Sequence, residues 1–162
     1  MDKVRMAVIG AGNIGSMHIE YLSRGEVHGA KLVAICDTDP ARLQRMKEMY
    51  GADQFRYYDT DDALMADDDV DAVLIATPHY AHPVLAIDAF NHGKHVLSEK
   101  PAGVYTKKVR EENEVALTHP DLTFAIMYNQ RTNPLYQKIR ALLQDGELGE
   151  FRRVNWIITN WY

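Results

Sequence analysis

The chain has 162 residues, with 18 Lys and Arg against 23 Asp and Glu, a net charge of −5, and 46% hydrophobic residues. That is the mixture of one globular domain, or one domain plus part of another, long enough to bury its own core. The single cysteine, Cys36, excludes an intrachain disulfide framework and a multi-cysteine zinc site, and the acidic balance argues against a nucleic-acid partner.

Met1 to Arg5 lead directly into the apolar run Met6–Ile9, without an export signal. No run approaches the ~20 apolar residues that span a bilayer. A cytoplasmic protein with no membrane partner is expected. Met6–Ile9 predicts a strand that ends at Gly10-Ala11-Gly12-Asn13-Ile14-Gly15, and Ile14, Met17, His18, Tyr21 and Leu22 predict the helix that follows. Glycine-rich turns between strand and helix cradle a pyrophosphate. Gly10 permits the tight turn, Gly12 lets the phosphate approach the backbone, and Gly15 allows close packing of helix on strand. Gly10, Gly12, Asn13, Ile14 and Gly15 are therefore candidate cofactor contacts.

Leu32–Cys36 predicts a second strand, ended by Asp37, 22 residues past Gly15. An acid at that place accepts hydrogen bonds from the adenosine ribose and repels a 2′-phosphate. Asp39 adds a second acid, and Arg42, the nearest cation, is placed within the next helix. NAD is expected over NADP. Asp39-Pro40 reads as the start of that helix and Gly51 as its end.

Phe55–Tyr58 is a weaker strand candidate. The aspartates Asp67, Asp68, Asp69 and Asp71 read as a solvated loop rather than a cation site. Ala72–Ala76 predicts a strand leading into Thr77-Pro78-His79-Tyr80-Ala81-His82. Loops at the carboxyl ends of parallel strands line the ligand crevice, so Thr77, Pro78, His79 and His82 are candidate contacts. For each histidine the alternative is a helix-start ring bonded to backbone. The spacings His79/His82 and His92/His95 suggest metal ligands, but a helix of about ten residues parts the pairs by roughly 15 Å. No metal site is expected.

Pro83–Asn91 predicts a helix, His95–Ser98 a strand, and Glu99-Lys100-Pro101 a loop leaving that strand. The proline keeps Lys100 out of the helical region and can aim it at the crevice, where a desolvated lysine acts as acid or base. Lys100 is the candidate catalytic residue, and Glu99 could orient it or bind a ribose hydroxyl. A helix over 106–118, a strand over 123–127 and a helix over 134–143 follow. Gly149–Ile158 then reads as a further strand, carrying Trp156, with Trp161 just beyond. An unpaired apolar edge of that kind is expected to self-associate or to stay unordered.

Near-continuous apolar strands alternating with helices imply an α/β fold, a doubly wound and mostly parallel sheet of the Rossmann dinucleotide-binding kind. The expected organisation is a dinucleotide-binding domain over 1–149, with 150–162 beginning a second α+β domain that is otherwise absent.

In this order and at these spacings the residues resemble the glucose–fructose oxidoreductase, inositol dehydrogenase and rhizopine-catabolism (Gfo/Idh/MocA) family. The matching pieces are Gly10 to Gly15, Asp37, Thr77-Pro78 with His82, and Gly93 to Leu97 running into Glu99-Lys100-Pro101. Asn129, Arg131, Asn133-Pro134 and Gly146 to Gly149 complete them. The resemblance implies a nicotinamide-dependent oxidoreductase acting on a hydroxyl or ketone of a sugar or cyclitol, and a homo-oligomer. It places Lys100 near the nicotinamide and adds Asn129 and Arg131 to the candidate contacts. His79 departs from the asparagine the family often has there. The competing reading is a non-catalytic nucleotide-sensing protein on the same fold.

Overall fold

The computed structural model describes residues 3–150, 152–157 and 159. Six strands form one all-parallel sheet: β1 (Val4–Ile9), β2 (Ala30–Cys36), β3 (Arg56–Tyr58), β4 (Ala72–Ile75), β5 (His95–Glu99) and β6 (Phe124–Met127). Their order is β3-β2-β1-β4-β5-β6. This is the doubly wound Rossmann arrangement, in which strand order reverses between β1 and β4 and opens a crevice at their carboxyl ends. The intervening helices are α1 (Asn13–Ser23), α2 (Pro40–Tyr50), α3 (Asp61–Met65), α4 (His82–Asn91) and α5 (Thr106–Thr118).

Side chains on successive strand residues face opposite sides of a sheet. Ala7, Ile9, Val73 and Ile75 accordingly join Phe90, Leu64 and Met65 in one core cluster. Val8, Ile35 and Leu74 join Ile19, Leu22, Leu43 and Met46 in another. Both faces are covered, which is why the strands read as unbroken apolar runs. Helix α2 starts as its sequence implies: the Asp39 carboxylate accepts from Ala41 N at 2.9 Å, and Gly51 ends the helix with φ +98°. The five-residue α3 was not expected; Thr60 Oγ1 caps it by accepting from Ala63 N.

The aspartate run is a loop with Asp68 and Asp69 exposed, as expected, but it is also tied into ion pairs. Arg5 binds Asp71 at 2.6 Å and Asp69 at 2.8 Å, and Arg56 binds Asp67 at 3.0 Å and Asp69 at 2.9 Å. The Arg5 guanidinium holds the Asp71 carboxyl below its ordinary range. Buried Lys94 donates to the carbonyls of Asp67 and Val70 at 2.8 and 3.0 Å. The carboxylates tie the amino ends of β1, β3 and β4 together, at the far end of the sheet from the crevice.

Glu112 on α5 is fully buried, and neither carboxyl oxygen has a hydrogen-bond partner. Burial pushes its carboxyl up from 4.5 to about 7. Above pH 4.5 the unfolded chain releases this proton while the folded chain keeps it. Stability from this group is thus greatest below pH 4.5 and declines as pH rises to 7, by up to about 3 kcal/mol. Glu112→Leu is expected to raise the melting temperature at pH 8 and to flatten that decline. Parallel melting-temperature curves for the two chains between pH 4.5 and 8 would show that the carboxyl is not confined.

The chain divides into two compact units, the second beginning at Tyr128. Taken by itself, the second unit has a 3₁₀ turn (Asn129–Thr132) and α6 (Pro134–Gln144), capped by Asn133, whose side chain accepts from Leu135 N at 3.0 Å. Tyr136 and Trp156 pack ring on ring, 5.1 Å between centroids. Of the strand expected over 149–158, residues 149, 150 and 152–157 have no strand structure. Phe151, Ile158 and Trp161 lie outside the described residues, as does that part of the self-association expectation.

Candidate functional site

Gly10 follows β1 directly, with φ +95°, and a Cβ there would stand 2.6 Å from the Ala76 carbonyl oxygen. Two constraints thus demand glycine at once, a left-handed backbone and contact with the chain leaving β4. A Cβ at Gly15 would meet the Gly10 carbonyl oxygen at 1.7 Å, so Gly15 packs against the turn itself as well as against Ala76. Gly12 differs. It is extended, and a Cβ there would have only Arg42 Nη1 within 4 Å, at 3.8 Å. Nothing in the protein requires glycine at this position; the space beside it is open. Helix α1 begins there without a side-chain cap. Its first amides, at Asn13, Ile14 and Gly15, have no intrahelical partner and favour an anion.

Two cavities adjoin at Arg42, Ala76, Thr77 and Pro78. One, of about 380 Å³, is lined by Gly10, Asp37, Asp39, Asp61 and Arg42 among others. The other, of about 410 Å³, is lined by Gly12, Asn13, Ile14, Arg42, Arg45, His79, His82, Glu99 and Lys100. Of the expected contacts of the first unit, all but Gly15 line these two cavities, on one crevice across the carboxyl ends of β1, β2, β4 and β5. Asn129 and Arg131 lie on the 3₁₀ turn of the second unit.

Asp37 is buried. Its carboxylate accepts from Ala11 N at 2.7 Å and Asp39 N at 2.8 Å, and Arg42 Nη1 stands 3.4 Å away. Those bonds lock the glycine turn to the end of β2. Arg42 does belong to α2, but its half-exposed guanidinium turns back into the crevice, also 3.5 Å from Asp39. Arg45, one turn further along α2, reaches Ser16 Oγ at 3.4 Å. Arg42 was expected only within that helix and Arg45 was not singled out; their i, i+3 spacing on one helix face was the available signal. Asp61, the third acid of the first cavity, was not singled out either. Cys36 lines that cavity, and burial pushes its thiol up to about 12, so it stays protonated at neutral pH.

At the other end, Thr77 Oγ1 is buried without a hydrogen-bond partner. His82 is fully buried; Nδ1 lies 2.8 Å from Pro101 O and Nε2 2.8 Å from Thr77 O. Its contribution to a ligand therefore runs through the two loops it holds. His79 is exposed, its ring edge-on to His82. Lys100 is exposed rather than desolvated, beyond a cis peptide bond to Pro101. Glu99 Oε1 lies 2.8 Å from His18 Nε2, and Glu99 Oε2 accepts from Lys100 N at 3.1 Å. His92 and His95 sit at the opposite end of α4, where His95 Nδ1 accepts from Thr123 N.

These features fit a dinucleotide. A cradle beside Gly12 would be filled by a Cβ, an unpartnered hydroxyl waits at Thr77, and an acid closes the adenosine end. The family described as an oxidoreductase family with an NAD-binding Rossmann fold matches residues 4–123. The inositol 2-dehydrogenase 1 of Paenarthrobacter aurescens is 37% identical over 151 residues, 91% of this chain and 43% of that protein. The crystal structure of scyllo-inositol dehydrogenase from Lactobacillus casei, with bound NAD(H) and scyllo-inositol, superposes with a TM-score of 0.85 at 28% identity. That likeness covers 92% of this chain and 43% of the other. The WlbA dehydrogenase of Bordetella pertussis, in complex with NADH and UDP-GlcNAcA, superposes at 0.82 and 28% identity over 91% of this chain and 44% of its own. The chain thus spans less than half the length of these relatives.

Proposed function

The chain belongs to the Gfo/Idh/MocA oxidoreductase family, whose shared part is an NAD-binding Rossmann fold, and from that premise we propose that it is the cofactor-binding part of a dehydrogenase. The substrate is a hydroxyl or ketone of a cyclitol or sugar-like molecule. The observation that carries the reading is the pair of joined cavities, with Asp37 closing one and Lys100 standing in the other.

Bound NAD supplies the hydride acceptor and donor. The Gly12 backbone and the free amides of α1 bind the pyrophosphate, and Arg42 and Arg45 neutralise it. Asp37 orients the adenosine ribose, and the bound cofactor gives Thr77 Oγ1 the partner it lacks. Lys100 holds or takes a proton at the reacting oxygen, and its exposed amine is dried by the ligand that covers it. The cofactor domain runs over 1–149, and 150–162 open a second, substrate-binding domain.

Cytoplasmic location, a homo-oligomeric state and freedom from nucleic acid and membrane belong to the same reading. The net charge of −5 argues against a nucleic-acid partner, and among the described residues no helix is long and apolar enough to cross a membrane. A non-catalytic sensor is not favoured, since the relatives reported above are dehydrogenases.

Asp37, Asp39 and Asp61 place three carboxylates against one guanidinium where a 2′-phosphate would lie. NAD is therefore expected to bind at least about tenfold more tightly than NADP, a difference of ~1.4 kcal/mol, and Asp37→Ser should narrow that ratio. The two dissociation constants, measured by calorimetry for both proteins, check this. Tighter NADP binding by the unmodified chain would defeat the assignment of Asp37.

A further inference from the structure

We infer that His18 is a positioning residue for the Lys100 loop, acting through the carboxylate of Glu99. His18 lies on α1, just past the glycine turn, and Glu99 is the last residue of β5. The two side chains meet at 2.8 Å and are largely withdrawn from water, 17% and 13% exposed. The carboxylate is used on both sides: Oε1 by the His18 ring and Oε2 by the amide of Lys100 at 3.1 Å. Each oxygen has one partner, so neither can leave without stranding a largely buried charge.

The residue after Lys100 is held in the same way. His82 Nδ1 lies 2.8 Å from Pro101 O. One histidine from α1 and one from α4 thus pin the backbone on either side of Lys100, while its amine makes no hydrogen bond among the described residues. The backbone is fixed and the reactive end is free, an arrangement suited to presenting an amine to a ligand in a set place. His82 also braces the Thr77 loop and is fully buried. His18 has no such second duty: among the described residues its only side-chain hydrogen bond is to Glu99. It is the position at which the link can be cut alone.

Removing His18 leaves Glu99 Oε1 unpaired. The carboxylate then turns toward water and releases the Lys100 amide. A hydrogen bond to a charged acceptor is worth about 1.5–3 kcal/mol, so the opening should be tenfold or more. This inference rests on the reading of Lys100 as the residue beside the reacting carbon, but its test involves neither cofactor nor turnover, so the two can fail separately.

The test is amide hydrogen exchange of the 162-residue chain by NMR. His18→Phe keeps the ring volume and removes the N–H, and exchange at Lys100 is expected to rise at least about tenfold while amides of β1, β4 and the rest of α1 keep their protection. His18→Gln, which restores a donor at similar reach, is expected to return Lys100 to the unmodified rate. A merely space-filling role predicts the opposite ranking, with Phe tolerated and Gln not. An unchanged Lys100 rate in folded His18→Phe overturns the inference. Should that chain not fold, His18→Leu removes the donor with a smaller side chain; faster exchange at Lys100 there supports the inference, and the unmodified rate again overturns it.

Discussion

Replacing Lys100 with alanine, in a catalytically complete protein that carries this chain, is expected to lower kcat by about 10²–10⁴-fold. The affinity for NAD should change far less. Lys100 lines the crevice beside His79 and Glu99, exposed and free of hydrogen bonds from its amine among the described residues. It braces nothing, so its removal costs the fold little. On the proposed reading, what is lost is an ammonium placed to polarise the reacting oxygen and pass it a proton. Lys100→Arg keeps the charge but not the transferable proton, because a guanidinium stays charged at any working pH. It should recover substrate binding more than rate. The measurement is kcat and KM for the three proteins with the NAD dissociation constant alongside. A Lys100→Ala protein with nearly full kcat would return this residue to the role of a surface turn.

The sheet was legible because its strands are buried on both faces. Val73, Leu74 and Ile75 are apolar without alternation, as are Phe124 to Met127. The glycine turn was legible because its three glycines are spaced within six residues between a strand and a helix, although the clash that demands glycine at position 10 comes from Ala76, far along the chain. What escaped the sequence depends on partners far along the chain. Asp69 stays 66% exposed, but its pairing with Arg5 and Arg56, from β1 and β3, could not be read locally. Arg42 looks like one more helix residue until its guanidinium is seen beside Asp37. His18 carries no local mark at all, since its partner lies 81 residues away. Helix α3 hid because five residues are too few for a period, and its acids resemble a loop. Glu112 stands in a stretch of charges that reads as a solvated face, yet its own side chain is turned inward.

The central claim is that a dinucleotide lies against the backbone of the first glycine turn, and Gly12→Val tests it most directly. Gly12 is extended, with φ −72°, and a Cβ there meets no protein atom closer than the far end of Arg42 at 3.8 Å. The chain should therefore fold and melt as before. At Gly15, by contrast, a Cβ would fall 1.7 Å from the Gly10 carbonyl oxygen, so even alanine should damage the turn itself. The valine at position 12 fills the open space beside the free amides of α1, where the pyrophosphate must approach. Losing two hydrogen bonds to a charged group, at about 1.5–3 kcal/mol each, weakens binding by at least about a hundredfold. Calorimetric titration of NAD into the unmodified chain and into Gly12→Val, at matched melting temperature, is the decisive measurement. Single-site binding that is lost or weakened at least about a hundredfold in the variant is the predicted result. Equal affinity of the two chains for NAD would contradict the placement of the cofactor.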